Sequence, residues 1–177
     1  MSEDILSRKD IESGIKNDDL LKINVGKILE DKVAIITGCS SGLGGATTRT
    51  FLNAGAKVAG CYYDKADARL YPRAIDDLWR FIEETNNHRN FIAINSDISH
   101  ADTPDKIVSQ AIDRFSKIHI LCNFAGIAYF TDFEQVSREE YQRTLDVNLN
   151  GHYFLTQKVV EAMKKNSLEH QYASRGS

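Results

Sequence analysis

From Lys32 onward, short apolar runs alternate with longer stretches whose apolar residues fall at helical spacing. The runs at 33–37, 57–62, 90–95 and 118–123 predict four buried β-strands. Between the third and fourth, Ile107, Val108, Ala111, Ile112 and Phe115 predict a helix, with Thr103 as its N-cap and Pro104 at the first helical position. Ile75, Leu78, Trp79 and Ile82 mark another helix. Ser137 and Glu140 have the spacing of a capping box and open a long pattern through Leu145, Leu149, Tyr153, Val160 and Met163. Four strands and four crossing or flanking helices in alternation predict an α/β fold with a parallel sheet and right-handed crossovers.

The pattern divides the chain in three. Residues 1–29 form a charge-rich arm with scattered Ile5, Ile11, Ile15, Leu20 and Leu21, interrupted by Gly14 and without a firm cap. Residues 30–165 carry the α/β domain. Residues 166–177 are a polar tail in which Leu168 and Tyr172 are the sizeable apolar groups, so no fifth strand is expected there.

Composition narrows the partners. The chain has 177 residues, 42% of them apolar and 27% charged, which suits one soluble domain with a real core. A net charge of −3 provides no broad basic field, so nucleic acid and anionic membrane are not expected partners, whereas a small molecule or a protein is. No stretch approaches the ~18 apolar residues of a membrane span. The opening MSEDILSRKD lacks the basic flank and apolar core of a signal peptide, so the expected location is cytoplasmic. Cys39, Cys61 and Cys122 are widely spaced and fit reduced thiols. His88, His100, His119, His152 and His170 show no metal-ligand spacing, and no metal is expected.

The candidate chemistry sits in residues 37–44, TGCSSGLG, directly after the first apolar run. A glycine-rich turn between a buried strand and a helix is a phosphate cradle. Gly38 permits the reversal, Gly42 lets a pyrophosphate approach the backbone, and Gly44 lets the helix lie close on the strand with its N-terminal amides facing the anion. Leu43-Gly44-Gly45 lacks the lysine of a P-loop, which excludes that nucleotide site.

Four motifs in order, namely this turn, Asp97-Ile98, Asn123-Phe124-Ala125-Gly126 and Asn148 within Asp146-Val147-Asn148-Leu149, closely resemble the short-chain dehydrogenase/reductase family over residues 32–164. The resemblance implies a Rossmann-type doubly wound parallel sheet, here truncated after about four strands, an NAD or NADP cofactor, and hydride transfer to or from an alcohol or carbonyl. It implies that Gly38, Ser40, Ser41, Gly42, Leu43 and Gly44 form the pyrophosphate turn. Asp97 lies near the adenine amino group with Ile98 beside the ring, Asn123, Ala125 and Gly126 border the cofactor, and Asn148 is the catalytic-site asparagine that holds a water of the proton relay. The adenosine ribose is read at the end of the second strand, by Tyr62 or by Asp64.

Several features depart from the family pattern. Phe124 replaces the usual second asparagine. Tyr62 stands where NAD-preferring members often carry Asp, and Ser41 where many NADP-preferring members carry a basic residue. Asp64 suits a ribose hydroxyl and Lys65 a phosphate, so the preference stays open. The family's catalytic Ser, Tyr and Lys follow the helix of Asn148, and this sequence does not contain them; Tyr172 has Gly176, not Lys, four positions on. The expectation is therefore an incomplete oxidoreductase that holds at best the adenosine and pyrophosphate end, with 118–122 as an open apolar sheet edge. The alternative is a noncatalytic dinucleotide-binding or interaction protein, or a nonfunctional truncated product. The helix over residues 138–164, a frequent dimer surface in the family, is the expected place for self-association.

Overall fold

A computed structural model of the chain describes residues 26–64 and 74–166. Most of the arm, Lys65 and the polar tail from residue 167, including Tyr172, lie outside the described residues. The elements in order are β1 (Val33–Thr37), α1 (Gly42–Asn53), β2 (Lys57–Tyr62), α2 (Ala74–Glu84), β3 (Phe91–Asn95), α3 (Thr103–Phe115), β4 (Ile120–Asn123), α4 (Arg138–Leu145) and α5 (His152–Met163). A π-helical segment, Asp146–Gly151, joins α4 to α5 without a break.

The four strands form one parallel sheet in the order β3-β2-β1-β4. The chain steps outward from β1 to β3, then crosses back to place β4 on the other side of β1. All five residues of β1 are buried, because layers cover both faces of the sheet and leave no solvent side to alternate with. Ala34, Ile36 and Val58 pack with Leu52, Leu78, Phe81 and Ile82 of α1 and α2. Ile35, Ala59 and Ile94 pack on the opposite face with Ile107, Ala111, Leu155 and Val159 of α3 and α5. This is the doubly wound α/β arrangement.

The two edges of the sheet differ. On β3, Lys106 Nζ donates to the Asn95 carbonyl at 2.9 Å, and Arg114 donates to the Arg89 carbonyl at 3.0 Å just before the strand. These cations occupy both ends of that edge, while Trp79 covers Phe91 in a T-shaped contact at 5.4 Å. The outer edge of β4 pairs with no strand among the described residues.

Some local expectations shift. The sheet begins at Phe91 and Ile120, although Asn90 and His119 still make backbone bonds with the neighbouring strands. Asp102, not Thr103, is the N-cap of α3; Thr103 already lies in the helix and its hydroxyl donates to the Asp97 carbonyl at 2.7 Å. The Ser137–Glu140 capping box is present with both reciprocal bonds.

The long helical pattern divides between two faces. Of its apolar positions, Leu149, Tyr153 and Val160 are exposed and Met163 is buried, and the other buried positions are Val147, Leu155, Val159 and Ala162. Val147, Gly151, Leu155 and Val159 repeat every four residues through the π segment and into α5 as the buried stripe, and Leu149 and Tyr153, two residues out of step with it, fall on the opposite, exposed face.

Candidate cofactor site

The crossing from β3 to β4 makes the gap between β1 and β4 the switch point of the sheet, and a crevice opens there beyond the strand ends. It is a cleft of about 280 Å³, with walls from the β1–α1 turn, the end of β2, residues 96–98, residues 124–127, and Arg143 and Val147 of the long helix.

The glycine turn forms its floor. Gly42 takes φ +51°, and a Cβ built there meets no atom within 4 Å, because the position faces the open cleft. A Cβ on Gly44 would lie 2.1 Å from the Gly38 carbonyl oxygen, so this glycine is what allows α1 to sit against the end of β1. Ser41 is the extended N-cap of α1 and contributes no side-chain cap bond, and the first turn carries no acidic residue. The helix thus offers uncapped amides and an uncancelled positive end to an anion. Leu43 lines the mouth, 76% exposed, while Ser40 is buried beneath the turn.

Thr37 ties the floor to the opposite wall. Its buried hydroxyl oxygen accepts from the amides of Phe124 and Ala125, each at 3.0 Å. Ala125 and Gly126 then line the cleft with Phe124 and Ile127. Asn123 turns away, and its Nδ2 donates to Thr156 Oγ1 of α5 at 3.1 Å. His152 Nε2 lies 2.6 Å from the Ala125 carbonyl, a second tie to α5, while His152 Nδ1 is buried without a partner among the described residues. Asn148 grips the backbone of Ile127 with both ends of its amide: Oδ1 accepts from the Ile127 amide and Nδ2 donates to the Ile127 carbonyl, both at 2.9 Å. It therefore fixes the chain just beyond Gly126 without lining the cleft itself.

At the other end, Tyr62 and Tyr63 line the cleft, and Asp64 stands just outside with its carboxylate accepting from Asn95 Nδ2 at 2.6 Å. Burial raises the Tyr62 phenol pKa, and the Asp64 charge reinforces it, so the group is neutral and serves as a hydroxyl. Asp97 and Ile98 form the side wall. Burial alone would push the Asp97 carboxyl up; the Arg143 hydrogen bond, the backbone and side-chain bonds from Ser99, and the Arg143 charge override it and hold the group below the usual carboxylate range.

Of the residues singled out from the sequence, Gly38, Ser41, Gly42, Leu43, Gly44, Tyr62, Asp97, Ile98, Ala125 and Gly126 line one cleft, whereas Ser40, Asp64, Asn123 and Asn148 support it from behind or beside. Arg143 and His152 went unrecognised. Arg143 lies on a helix with no buried residue, so no periodicity marks it, and His152 has no ligand spacing. Thr37 was visible as the first residue of the turn, but its bridge to β4 depends on a pairing across 87 residues. A larger groove of about 670 Å³ follows the exposed face of α5 through Leu149, Tyr153 and Val160 and contains none of the glycine turn.

The fold and the crevice define a dinucleotide-binding α/β protein. A sequence model of the short chain dehydrogenase family matches residues 32–169, and the chain belongs to that family. It is 32% identical over 138 residues to L-rhamnose 1-dehydrogenase (NAD(P)(+)) of Azotobacter vinelandii, an alignment covering 78% of this chain and 52% of the relative. It is 31% identical to 3-oxoacyl-[acyl-carrier-protein] reductase of Synechocystis, covering 77% and 52%. Among solved structures, 3-ketoacyl-(acyl-carrier-protein) reductase from Brucella melitensis, complexed with NADH, superposes with a TM-score of 0.65 at 35% identity, covering 78% of this chain and 52% of that one. A blue fluorescent protein from a metagenomic library, in complex with NADPH, superposes equally well at 28% identity, covering 76% and 52%. The chain thus spans about half the length of these relatives. Among the described residues, no helix is long and apolar enough to cross a membrane.

Proposed function

We propose that this chain is the cofactor-holding half of an NAD(P)-dependent oxidoreductase that transfers hydride between a nicotinamide dinucleotide and an alcohol or carbonyl. The observation that carries the reading is the open space over Gly42 in front of an uncapped helix N-terminus without acidic residues, on the floor of a cleft at the switch point of the sheet. The residues present fit the cofactor. The amides at the start of α1 hold the pyrophosphate, Ile98 and Asp97 frame the adenine, and Tyr62 and Asp64 stand at the ribose. When bound, the nicotinamide supplies the hydride acceptor or donor.

The chain's own contribution is to bind and orient. Asn148 commits both ends of its side-chain amide to the Ile127 backbone and so holds in place the chain that follows Gly126 at the edge of the cleft. The substrate class rests on family membership and on relatives named for a sugar dehydrogenase and a 3-oxoacyl reductase. No comparison supports the noncatalytic alternative. Self-association through residues 138–164 belongs to the same proposal, supported by the exposed Leu149, Tyr153, Phe154 and Val160. So does a cytoplasmic setting, supported by three cysteines that form no disulfide.

Titration of the chain with NADH and with NADPH, followed by displacement with ADP-ribose, tests the reading. One-to-one binding that ADP-ribose competes away is expected. Absence of binding of either dinucleotide at millimolar concentration would refute it.

A further inference from the structure

Asp97 holds its place through a closed network. Its Oδ1 accepts twice from Ser99, from the amide at 3.0 Å and from the hydroxyl at 2.8 Å. Its Oδ2 accepts from Arg143 Nη2 at 2.5 Å, and Arg143 Nη1 donates to the Ser99 hydroxyl oxygen. Arg143 thereby orients both the carboxylate and the serine that bonds it. The Asp97 side chain is 8% exposed and that of Arg143 34%, and both border the cleft.

An ionised carboxylate has about four acceptor sites. Among the described residues, two on Oδ1 and one on Oδ2 are filled, which leaves one acceptor on Oδ2. His100 Nε2, at 3.8 Å, is beyond hydrogen-bond reach of it. The same loop is held from a second point, since a Cβ on Gly151 would lie 2.6 Å from the Ile98 carbonyl oxygen; the π segment therefore abuts the backbone of the side wall. The long helix that carries Asn148 thus fixes this wall at Asp97 through Arg143 and at Ile98 through Gly151.

We infer that Arg143 is a positioning residue for base recognition: it fixes the Asp97 carboxylate in the one orientation that leaves a single acceptor for the exocyclic amino group of adenine. The inference rests on the dinucleotide reading and adds to it the source of its base selectivity. A protein with this device prefers a 6-amino purine over a 6-oxo purine, because the latter presents an oxygen to a carboxylate oxygen. It also keeps the wall electrically neutral, so the base meets an ion pair and not an isolated charge.

The test is calorimetric binding of NAD+ and of nicotinamide hypoxanthine dinucleotide to the chain and to Arg143→Met, Arg143→Lys and Asp97→Asn variants. The parent should prefer the adenine dinucleotide about ten-fold, as suits one hydrogen bond to a charged acceptor. Arg143→Met should reduce that ratio to about one, and Arg143→Lys should recover part of it through the retained charge. In an Asp97→Asn background, Arg143→Met should change the ratio no further, since Arg143 acts through the carboxylate. Equal losses for both dinucleotides in Arg143→Met, with the ratio kept, would overturn the inference and make Arg143 a general support. A parent that binds NAD+ without base preference would overturn it too while leaving the dinucleotide site intact. Failure of the parent to bind either would instead overturn the dinucleotide reading.

Discussion

Adding one methyl group at Gly42 or at Gly44 should separate ligand binding from folding, although the two positions are two residues apart. At Gly44 the new Cβ would lie 2.1 Å from the Gly38 oxygen and 2.7 Å from the Gly38 carbonyl carbon. Both are backbone atoms, so no rotamer relieves the clash. The helix start must lift by roughly 1.3 Å to reach the 3.4 Å of ordinary contact. Overpacking of this kind costs about 1–3 kcal/mol and occasionally more. With backbone on both sides the upper end applies, and about 3 kcal/mol corresponds to a melting temperature about 10 °C lower for a domain of this size. At Gly42 no atom lies within 4 Å, so the cost is the left-handed φ of +51° alone, about 1–2 kcal/mol. That methyl points into the space assigned to the pyrophosphate. Gly42→Ala should therefore stay folded with a modestly lower Tm and bind ADP-ribose at least ten-fold more weakly, about 1.4 kcal/mol. Thermal unfolding by circular dichroism and calorimetric titration read the two effects separately. Undiminished affinity in Gly42→Ala, or a Gly44→Ala variant as stable as Gly42→Ala, would refute the reasoning.

Other consequences follow from packing and charge. Leu155→Ala should lose about 2–5 kcal/mol in urea unfolding, and Leu149→Ala, on the exposed face of the same helix, should stay within about 0.5 kcal/mol of the parent; the reverse order would put the wrong face of that helix against the sheet. Because the Asp97 pKa is lowered in the folded state, its contribution is present above the ordinary carboxylate range and is lost as pH falls through the folded value, so the acid limb of the stability profile should flatten in Asp97→Asn. Burial raises the Cys61 thiol to about 12, and Cys39 is equally buried, so native protein at neutral pH should expose neither to a thiol reagent. Half-buried Cys122, also raised by burial, should react slowly, and all three promptly after unfolding.

How much of this was legible beforehand depends on the range of each interaction. Strand β1 could be read to the residue because burial on both faces writes a continuous apolar run, and the Ser137–Glu140 cap because its bonds span three residues. The glycine turn was legible because glycine is required where backbone meets backbone. The long helix was harder to read because two series run along it at the same four-residue interval: Val147, Gly151, Leu155 and Val159 are buried, whereas Leu149 and Tyr153 lie on the exposed face, and spacing alone does not say which faces the sheet. Arg143 was invisible for a different reason. Its partners lie 44 and 46 residues away on another wall, and nothing in a polar helix face distinguishes a bridging arginine from a solvated one. Thr37 and His152 share that difficulty, since each acts across the β1–β4 or β4–α5 gap that only the folded chain closes.

The central claim is that the crevice at the β1–β4 switch point holds a dinucleotide with its pyrophosphate on the glycine turn. The most direct measurement is the amide NMR spectrum of isotope-labelled chain titrated with ADP-ribose. The account predicts that the largest shifts fall on Gly42, Leu43 and Gly44, with a second group at Ile98 and Gly126, and that the groove along Leu149, Tyr153 and Val160 stays unperturbed. Saturable shifts confined to that α5 groove, with the glycine turn unchanged, would contradict it.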